Sequence, residues 1–438
     1  MDSEAIDVIY FVVAGVWTVF VVISAYLFMK NINYPSIKYR SVPLFFVNAL
    51  TNLLVTVNII LSGPLSSKYM CFVYFWILYL CLPLWIITTL VKHIRLIILY
   101  RFGAERIVTY TSLYPSLDSE NNSYLNSTTE VLSRNLFPKG SWLRRLLTPK
   151  AHIIGIIVWM IPHCILATVL HVVLNRADKG YSPNTTVEVC VNNWYWSPIL
   201  GIFILYTLGV LPVILLYIRG IKDAYDMRLE VLWDIGAGTV GTLACLLSTE
   251  LNEDKEFLRV FPNQMWTAVM CMCMYWISVF IPFREKRRFL AVHPSKKCAH
   301  SLFEELLTDS HLFQEFHAFS VRDFSVENPL FYNRVNKWIL DMKDLEQRNC
   351  SSTNCESTYQ EAHEIYRLFI ASNADYEINI TSETSHQISK DILTGNIGSS
   401  LFDQAIAEVL DMMLQQTFPR FLRHKGWTND YPIRLPPI

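Results

Sequence analysis

The sequence predicts an all-α protein in two parts, a bundle of seven membrane-spanning helices followed by a soluble helical domain. Of its 438 residues, 52% are hydrophobic and only 17% are charged, which is too apolar for one ordinary soluble domain. The apolar residues occur in long runs up to Pro282, whereas the sequence from Phe283 onward has the charge density of a soluble protein. No segment of this second part alternates apolar and polar residues as a β-strand would.

Seven apolar windows are long enough to cross a bilayer as helices, which takes about 20 residues. They cover residues 7–29, 43–62, 71–91, 151–173, 196–217, 229–249 and 263–282. The first window lacks a basic segment before it and a small-residue cleavage pattern after it, so we interpret it as a membrane anchor. Asn48, Asn52 and Thr56 lie at helical spacing in the second window and are expected to form interhelical hydrogen bonds.

The positions of Lys and Arg predict how the chain is threaded. The first, third and fifth loops, and the stretch after the seventh window, are rich in Lys and Arg. The alternate loops are poor in both, and the N-terminal tail is acidic. Because basic loops stay on the cytoplasmic side, we expect a multi-pass protein of the plasma membrane with its N-terminus outside and its C-terminal domain in the cytosol.

Two cysteines and one asparagine are then expected on the outer side. Cys71 opens the third window and Cys190 lies in the loop before the fifth. A disulfide between them would close a long loop in an oxidising compartment and tie two helices together. Two unpaired cysteines on the same side are the alternative. Asn184, in the triplet Asn-Thr-Thr of that loop, is a predicted glycosylation site.

Two ionisable residues lie within the predicted spans. Asp234 and His163 are candidates for an intramembrane ligand or ion site, because an ionisable group in hydrocarbon is costly and usually faces a bundle interior or cavity. The alternative is a structural role, since residues near helix ends are tolerated and Asp234 lies little more than one turn from the cytosolic end.

The soluble part shows the periodicity of amphipathic helices. In the segment SLFDQAIAEVLDMMLQQ at 400–416, apolar residues recur every three or four positions, with Ser400 and Asp403 at the expected helix start. In the segment that begins at Ser325, a similar stripe runs from Leu330 to Met342, and Ser325 is the expected N-cap. This part is therefore predicted to be a helical bundle.

Four ordered segments, DFSVENPLFY, AHEIYRLFIASNADYEINI, SLFDQAIAEVLDMM and QQTFPRFLRHKGW, resemble the RGS domain, the regulator of G-protein signalling module. The resemblance implies a bundle of about nine helices. We divide the chain into a bundle at 1–282, a basic linker at 283–297, the RGS-like domain at 298–427 and a tail at 428–438. Seven spans ahead of such a domain are similar in architecture to the receptor-like RGS proteins of plants and fungi.

The resemblance also implies a surface that binds the Gα subunit of a heterotrimeric G protein. The matching residues are Glu327, Asn328, Asn379, Met412, Gln416, Thr417 and Arg420. Such domains hold the switch segments of Gα, so no catalytic residue, metal or cofactor of their own is expected, and GTP and Mg²⁺ belong to Gα. From the local pattern alone, Glu327 and Asn328 would support a first helical turn and Asn379 would shape a turn.

The function that follows is that of a membrane-tethered activator of GTP hydrolysis on Gα, which damps G-protein signalling and is not itself an enzyme. An extracellular small molecule is the expected cue for the bundle, and nothing in the composition indicates nucleic-acid binding. Gln416 stands where many active RGS domains carry an acidic residue, and Pro329 replaces an aliphatic one. These differences leave open a receptor or scaffold that binds Gα without accelerating hydrolysis. A transporter-like bundle with a regulatory tail is the third interpretation.

Overall fold

The computed structural model describes residues 3–113, 148–177, 185–190, 194–251, 260–291, 296–347 and 353–426. Regular structure in these residues is helical, apart from a single antiparallel bridge between Met70 and Thr186. The prediction of an all-α protein is therefore confirmed. The chain divides into two compact units. The apolar unit comprises Met1–Ile98 and Lys139–Lys286, and the C-terminal unit comprises Leu99–Pro138 and Arg287–Ile438.

Seven helices in the described residues are long and apolar enough to cross a membrane, and each overlaps one predicted window. Spans 1 to 7 lie within these helices, which cover Glu4–Lys30, Val42–Leu61, Cys71–Tyr110, Lys150–Arg176, Ser197–Ile218, Met227–Ser248 and Met265–Phe289. Short helices at Pro35–Lys38, Val187–Cys190 and Trp194–Trp196 lie between them. Span 5 contains a π-helical stretch at Leu205–Val210. Val16, Val158 and Leu216 are each more than 60% exposed, as expected of side chains that face lipid.

The helices of spans 3 and 7 extend furthest beyond their predicted windows. The helix of span 3 runs from Cys71 to Leu113, so the basic stretch after residue 91, which we predicted to be part of a loop, begins as helix. Leu96, Tyr100 and Ala104 are buried along this extension and continue the apolar stripe. The helix of span 7 likewise runs to Ala291, into the predicted linker. Residues 99–113 belong to the C-terminal unit, which the sequence did not indicate.

Polar side chains join the spans of the apolar unit, as the spacing in the second window predicted. Asn48 Nδ2 donates to the hydroxyls of Thr88 and Thr89 in span 3, at 3.0 and 2.9 Å. Asn52 Nδ2 donates to a backbone carbonyl of span 7 at 2.8 Å. Thr56 Oγ1 accepts a hydrogen bond from Trp17 Nε1 of span 1 at 2.8 Å. The predicted interhelical hydrogen bonds of this helix are therefore present.

The predicted disulfide is also present. Cys71 and Cys190 are bonded, with their Cα atoms 6.2 Å apart, and both are fully buried. The bond ties the start of span 3 to the short helix that ends at Cys190. Asn184 lies outside the described residues, so its glycosylation stays a prediction.

The C-terminal unit is a bundle of amphipathic helices. From Lys296 onward its described residues form helices at Lys296–Thr308, Ser310–Arg322, Glu327–Gln347, Thr353–Ile365, Ser382–Leu393, Asp403–Met412 and Phe418–His424, with π-helical turns at Tyr366–Ile370 and Met413–Thr417. Aromatic side chains fill its core, with Phe331, Phe369 and Phe402 fully buried. Trp338 packs against Phe402 with ring centroids 5.0 Å apart. Because such side chains bury large areas, they account for much of the stability of the bundle.

Candidate functional site

The turn before the helix Glu327–Gln347 carries the first of the predicted contact residues. Phe324 has a φ angle of 55° in this turn, a left-handed conformation that is unfavourable for a bulky residue unless its neighbours hold it. The Ser325 amide donates to the Ser320 carbonyl at 3.0 Å, and the Ser325 hydroxyl donates to Asp323 Oδ2 at 3.0 Å. That hydroxyl is therefore engaged with Asp323, while the Ser325 carbonyl accepts a hydrogen bond from the Asn328 amide at 3.3 Å.

Arg420 and Thr417 support this turn from within. Arg420 Nε and Nη2 donate to the two carboxylate oxygens of Asp323, at 2.5 and 2.7 Å. Both side chains are buried, Arg420 at 4% and Asp323 at 0% exposure. The Thr417 hydroxyl lies 3.2 Å from that of Ser325 and is also buried. Arg420 and Thr417 thus hold the turn in place, and neither is exposed in this structure.

Asn379 lies in an extended loop that is anchored on both sides. Upstream, the Tyr376 and Ile378 amides donate to the carbonyls of Leu368 and Phe369, at 3.0 and 2.9 Å. Downstream, Glu408 accepts hydrogen bonds from the Thr381 amide at 2.7 Å and the Thr384 hydroxyl at 2.5 Å. Asn379 itself is exposed. The loop therefore presents an amide side chain on a well-supported backbone.

Glu408 has to be ionised to accept these bonds well. Burial would raise the pKa of its carboxyl, but the hydrogen bonds from Thr384 and Thr381 outweigh that effect and leave the pKa lowered. Because the pKa of Glu408 is lower in the folded state than in the unfolded chain, its hydrogen bonds contribute their full stabilisation above the ordinary glutamate pKa of about 4.3. That stabilisation is lost as the pH falls through the folded-state pKa.

Replacing Glu408 with alanine is expected to loosen the loop that carries Asn379. Hydrogen exchange of residues 371–381 should become faster, by the equivalent of about 1 kcal/mol for this partly exposed acceptor. Glu304→Ala, which removes an exposed carboxylate from the first helix of the bundle, serves as the control. Unchanged exchange in the Glu408→Ala protein would show that the backbone bonds of Tyr376 and Ile378 suffice.

The turn at 323–328 and the loop that carries Asn379 both contact the segment 412–420, and these three parts make up the candidate surface. Asn379 Nδ2 lies 4.0 Å from Met412 Sδ, which joins the loop to the helix that precedes Thr417. Gln416 is exposed in the π-helical turn Met413–Thr417, whereas Asn328 is only 8% exposed. The Asn328 Oδ1 atom has no hydrogen-bond partner among the described residues. The predicted residues thus fall into an exposed group around Asn379 and Gln416 and a buried group that supports it.

Glu327 lies at the edge of this surface with its side chain 20% exposed. Its Oε2 atom pairs with Arg106 Nη1 at 3.3 Å. Burial raises the pKa of the Glu327 carboxyl, and the nearby Arg106 guanidinium lowers it by a smaller amount. Glu327 therefore already has a cationic partner within its own chain.

Comparison with known proteins identifies the domain that carries this surface. A family model for the regulator of G protein signaling domain matches residues 302–429. The C-terminal part of the chain is an RGS domain. Regulator of G-protein signaling 8 from Macaca fascicularis is 27% identical over 187 residues, 43% of this chain and 87% of that protein. Regulator of G-protein signaling 16 from Homo sapiens is 30% identical over 127 residues, 29% of this chain and 56% of that protein. No solved structure shows a significant match.

The two candidates for an intramembrane site differ in their surroundings. Asp234 is fully buried in the apolar unit, and its Oδ2 atom lies 3.1 Å from Lys92 Nζ and 3.0 Å from His93 Nε2. Lys92 also pairs with Glu230 at 3.0 Å. His163, by contrast, bonds the carbonyl of Trp159 in its own helix at 2.8 Å. Asp234 is thus part of a buried ionic cluster, and His163 has a local structural contact.

The sequence patterns do not reveal the roles of Asp323, Glu408 and Lys92 in the RGS surface and the ionic cluster. Asp323 opens the segment DFSVENPLFY, and an acidic residue two positions before a turn serine is a signal that could have been used. Glu408 lies on the polar face of its helix and resembles any solvated carboxylate. Lys92 stands at the end of the third window, where a basic residue normally marks the membrane boundary.

Proposed function

We infer that this protein is a membrane-tethered regulator that binds an activated Gα subunit through its RGS domain and accelerates its GTP hydrolysis. The observation that carries this proposal is the anchored, exposed Asn379 next to Met412, on a domain that matches the RGS family over residues 302–429. The seven membrane-length helices support attachment to a bilayer. The bias of basic residues and the Cys71–Cys190 disulfide support the proposed orientation, with the RGS domain in the cytosol.

The proposed mechanism needs no catalytic group on this chain. Gα supplies the arginine, the Mg²⁺ and the glutamine that orients the attacking water, and its slow step is limited by mobile switch segments. A rigid surface that binds those segments in their transition-state geometry lowers the barrier by positioning. An asparagine suits such a surface because its amide both donates and accepts hydrogen bonds without adding charge near the phosphates.

Replacing Asn379 with alanine is expected to reduce the acceleration of single-turnover GTP hydrolysis by roughly 10- to 100-fold. The measurement uses the full-length protein in lipid nanodiscs and GTP-loaded Gα subunits. Asn396→Ala provides a matched control, since Asn396 is an exposed asparagine on another loop of the domain. Equal losses in both variants, or none in Asn379→Ala, would contradict the role proposed for Asn379.

The same assay separates the second candidate function, a receptor or scaffold that binds Gα without accelerating it. Gln416 favours this alternative, because it is exposed where an acidic side chain would assist docking to Gα. Binding of Gα loaded with GDP and aluminium fluoride, together with unchanged hydrolysis, would support the scaffold. That the bundle responds to an extracellular small molecule stays a proposal alongside either function.

A further inference from the structure

A helical segment outside the RGS family match packs against the RGS surface. Residues 99–113, the C-terminal end of the helix Cys71–Leu113, belong to the same compact unit as the RGS domain. Tyr110 is only 2% exposed, with its ring centroid 5.6 Å from that of Tyr376 and 6.1 Å from that of Phe369. The segment also comes close to the RGS backbone at Gly103, where an added Cβ atom would lie 3.7 Å from the Val321 carbonyl oxygen.

Arg106 of this segment contacts two of the three parts of the candidate Gα-binding surface. Its guanidinium pairs with Glu327, donates to the Asp375 carbonyl and lies 5.5 Å from the centre of the Tyr376 ring. The Tyr376 hydroxyl in turn donates to the Arg106 carbonyl at 3.1 Å. These contacts reach the turn that carries Glu327 and the loop that carries Asn379. A partner that binds both of these parts would meet the segment.

A Gα subunit that binds the Glu327 carboxylate would compete with Arg106 for it. This carboxylate is mostly buried and already paired, with Arg106 itself only 17% exposed. A partner that uses this carboxylate would displace Arg106 or would meet its guanidinium in the interface.

We propose that residues 99–113 form an inhibitory segment that competes with Gα for the RGS surface around Glu327. This inference rests on the proposed function of the RGS domain and concerns its regulation. In the structure, the segment covers the RGS surface around Glu327. Gα binds only to the fraction of molecules in which the segment is released. The apparent affinity for Gα is reduced by that fraction.

The test compares Arg106→Ala with the wild-type protein, both full length in lipid nanodiscs. The probe is a panel of purified Gα subunits loaded with GDP and aluminium fluoride. We expect Arg106→Ala to bind about three- to tenfold more tightly, since the released fraction rises. Arg367→Ala is the matched control, because Arg367 is 73% exposed and its ion pair, with Glu364 at 3.8 Å, lies within one helix. Its affinity should equal that of the wild type.

Equal or weaker binding by Arg106→Ala, with a wild-type protein that does bind, would overturn the inhibitory segment and leave the proposed function intact. Binding by none of the variants would contradict the proposed function and the inference together.

A second measurement avoids any folding defect of the variant. When Gα is added to the wild-type protein, hydrogen exchange of residues 99–113 should become faster, and slower or unchanged exchange would overturn the inference.

Discussion

Replacing Arg420 with methionine is expected to destabilise the RGS domain by about 3–5 kcal/mol, because it leaves the Asp323 carboxylate buried without a counter-ion. Both side chains are almost completely buried, and the guanidinium donates two hydrogen bonds to the carboxylate. The loss can be measured in the full-length protein as faster hydrogen exchange across residues 302–429. Arg367→Met, at an exposed position, should change the stability by no more than about 0.5 kcal/mol.

A double variant identifies the cause of the loss. Asp323→Asn combined with Arg420→Met removes both charges, so we expect it to be more stable than Arg420→Met alone. The family resemblance assigned Arg420 to the Gα-binding surface, whereas the structure places it beneath the turn that carries Glu327. If Arg420→Met weakened Gα binding with no change in hydrogen exchange, the side chain would act at the surface and the structural assignment would be wrong.

Periodicity and length were sufficient to predict the helices of both units. Each apolar window is a continuous run that no soluble helix would expose, and the stripes around Leu330 and Val409 recur at three- and four-residue spacing. The interhelical bonds of Asn48 and Asn52 were predictable for the same reason, since a buried amide within a span needs a partner. The disulfide was predictable once the basic loops had assigned Cys71 and Cys190 to one side.

The contacts around Glu327 could not be predicted in this way. Arg106 and Glu327 are 221 residues apart, and neither belongs to a local pattern that refers to the other. Residues 92–113 contain so many charged residues that their mean hydropathy indicates a loop. Their buried positions nevertheless continue the apolar stripe of the helix. Likewise, the family resemblance identifies positions on a surface, but it does not show that Thr417 and Arg420 are buried here.

Replacing Asp234 with alanine is expected to destabilise the apolar unit by about 3–5 kcal/mol, since Lys92 loses one of its two carboxylate partners within a buried cluster. His93, which is fully buried, loses its ring partner at the same time. Thermal unfolding of the full-length protein in detergent should show a decrease in Tm of roughly 10 °C. His163→Leu is the contrasting variant, because its hydrogen bond lies within one helix turn and should cost only about 1 kcal/mol.

Variants of Asp234 and Lys92, made singly and together, measure how much the two charges stabilise each other. If Asp234 acts through Lys92, then Lys92→Met should destabilise the unit as well, and the combination of Asp234→Ala with Lys92→Met should cost less than the sum of the single changes. Strict additivity would mean that the two side chains do not stabilise one another. An Asp234→Ala protein as stable as the wild type would instead indicate that the carboxylate is kept for another role, because a residue that binds a ligand or ion is often retained at the expense of stability.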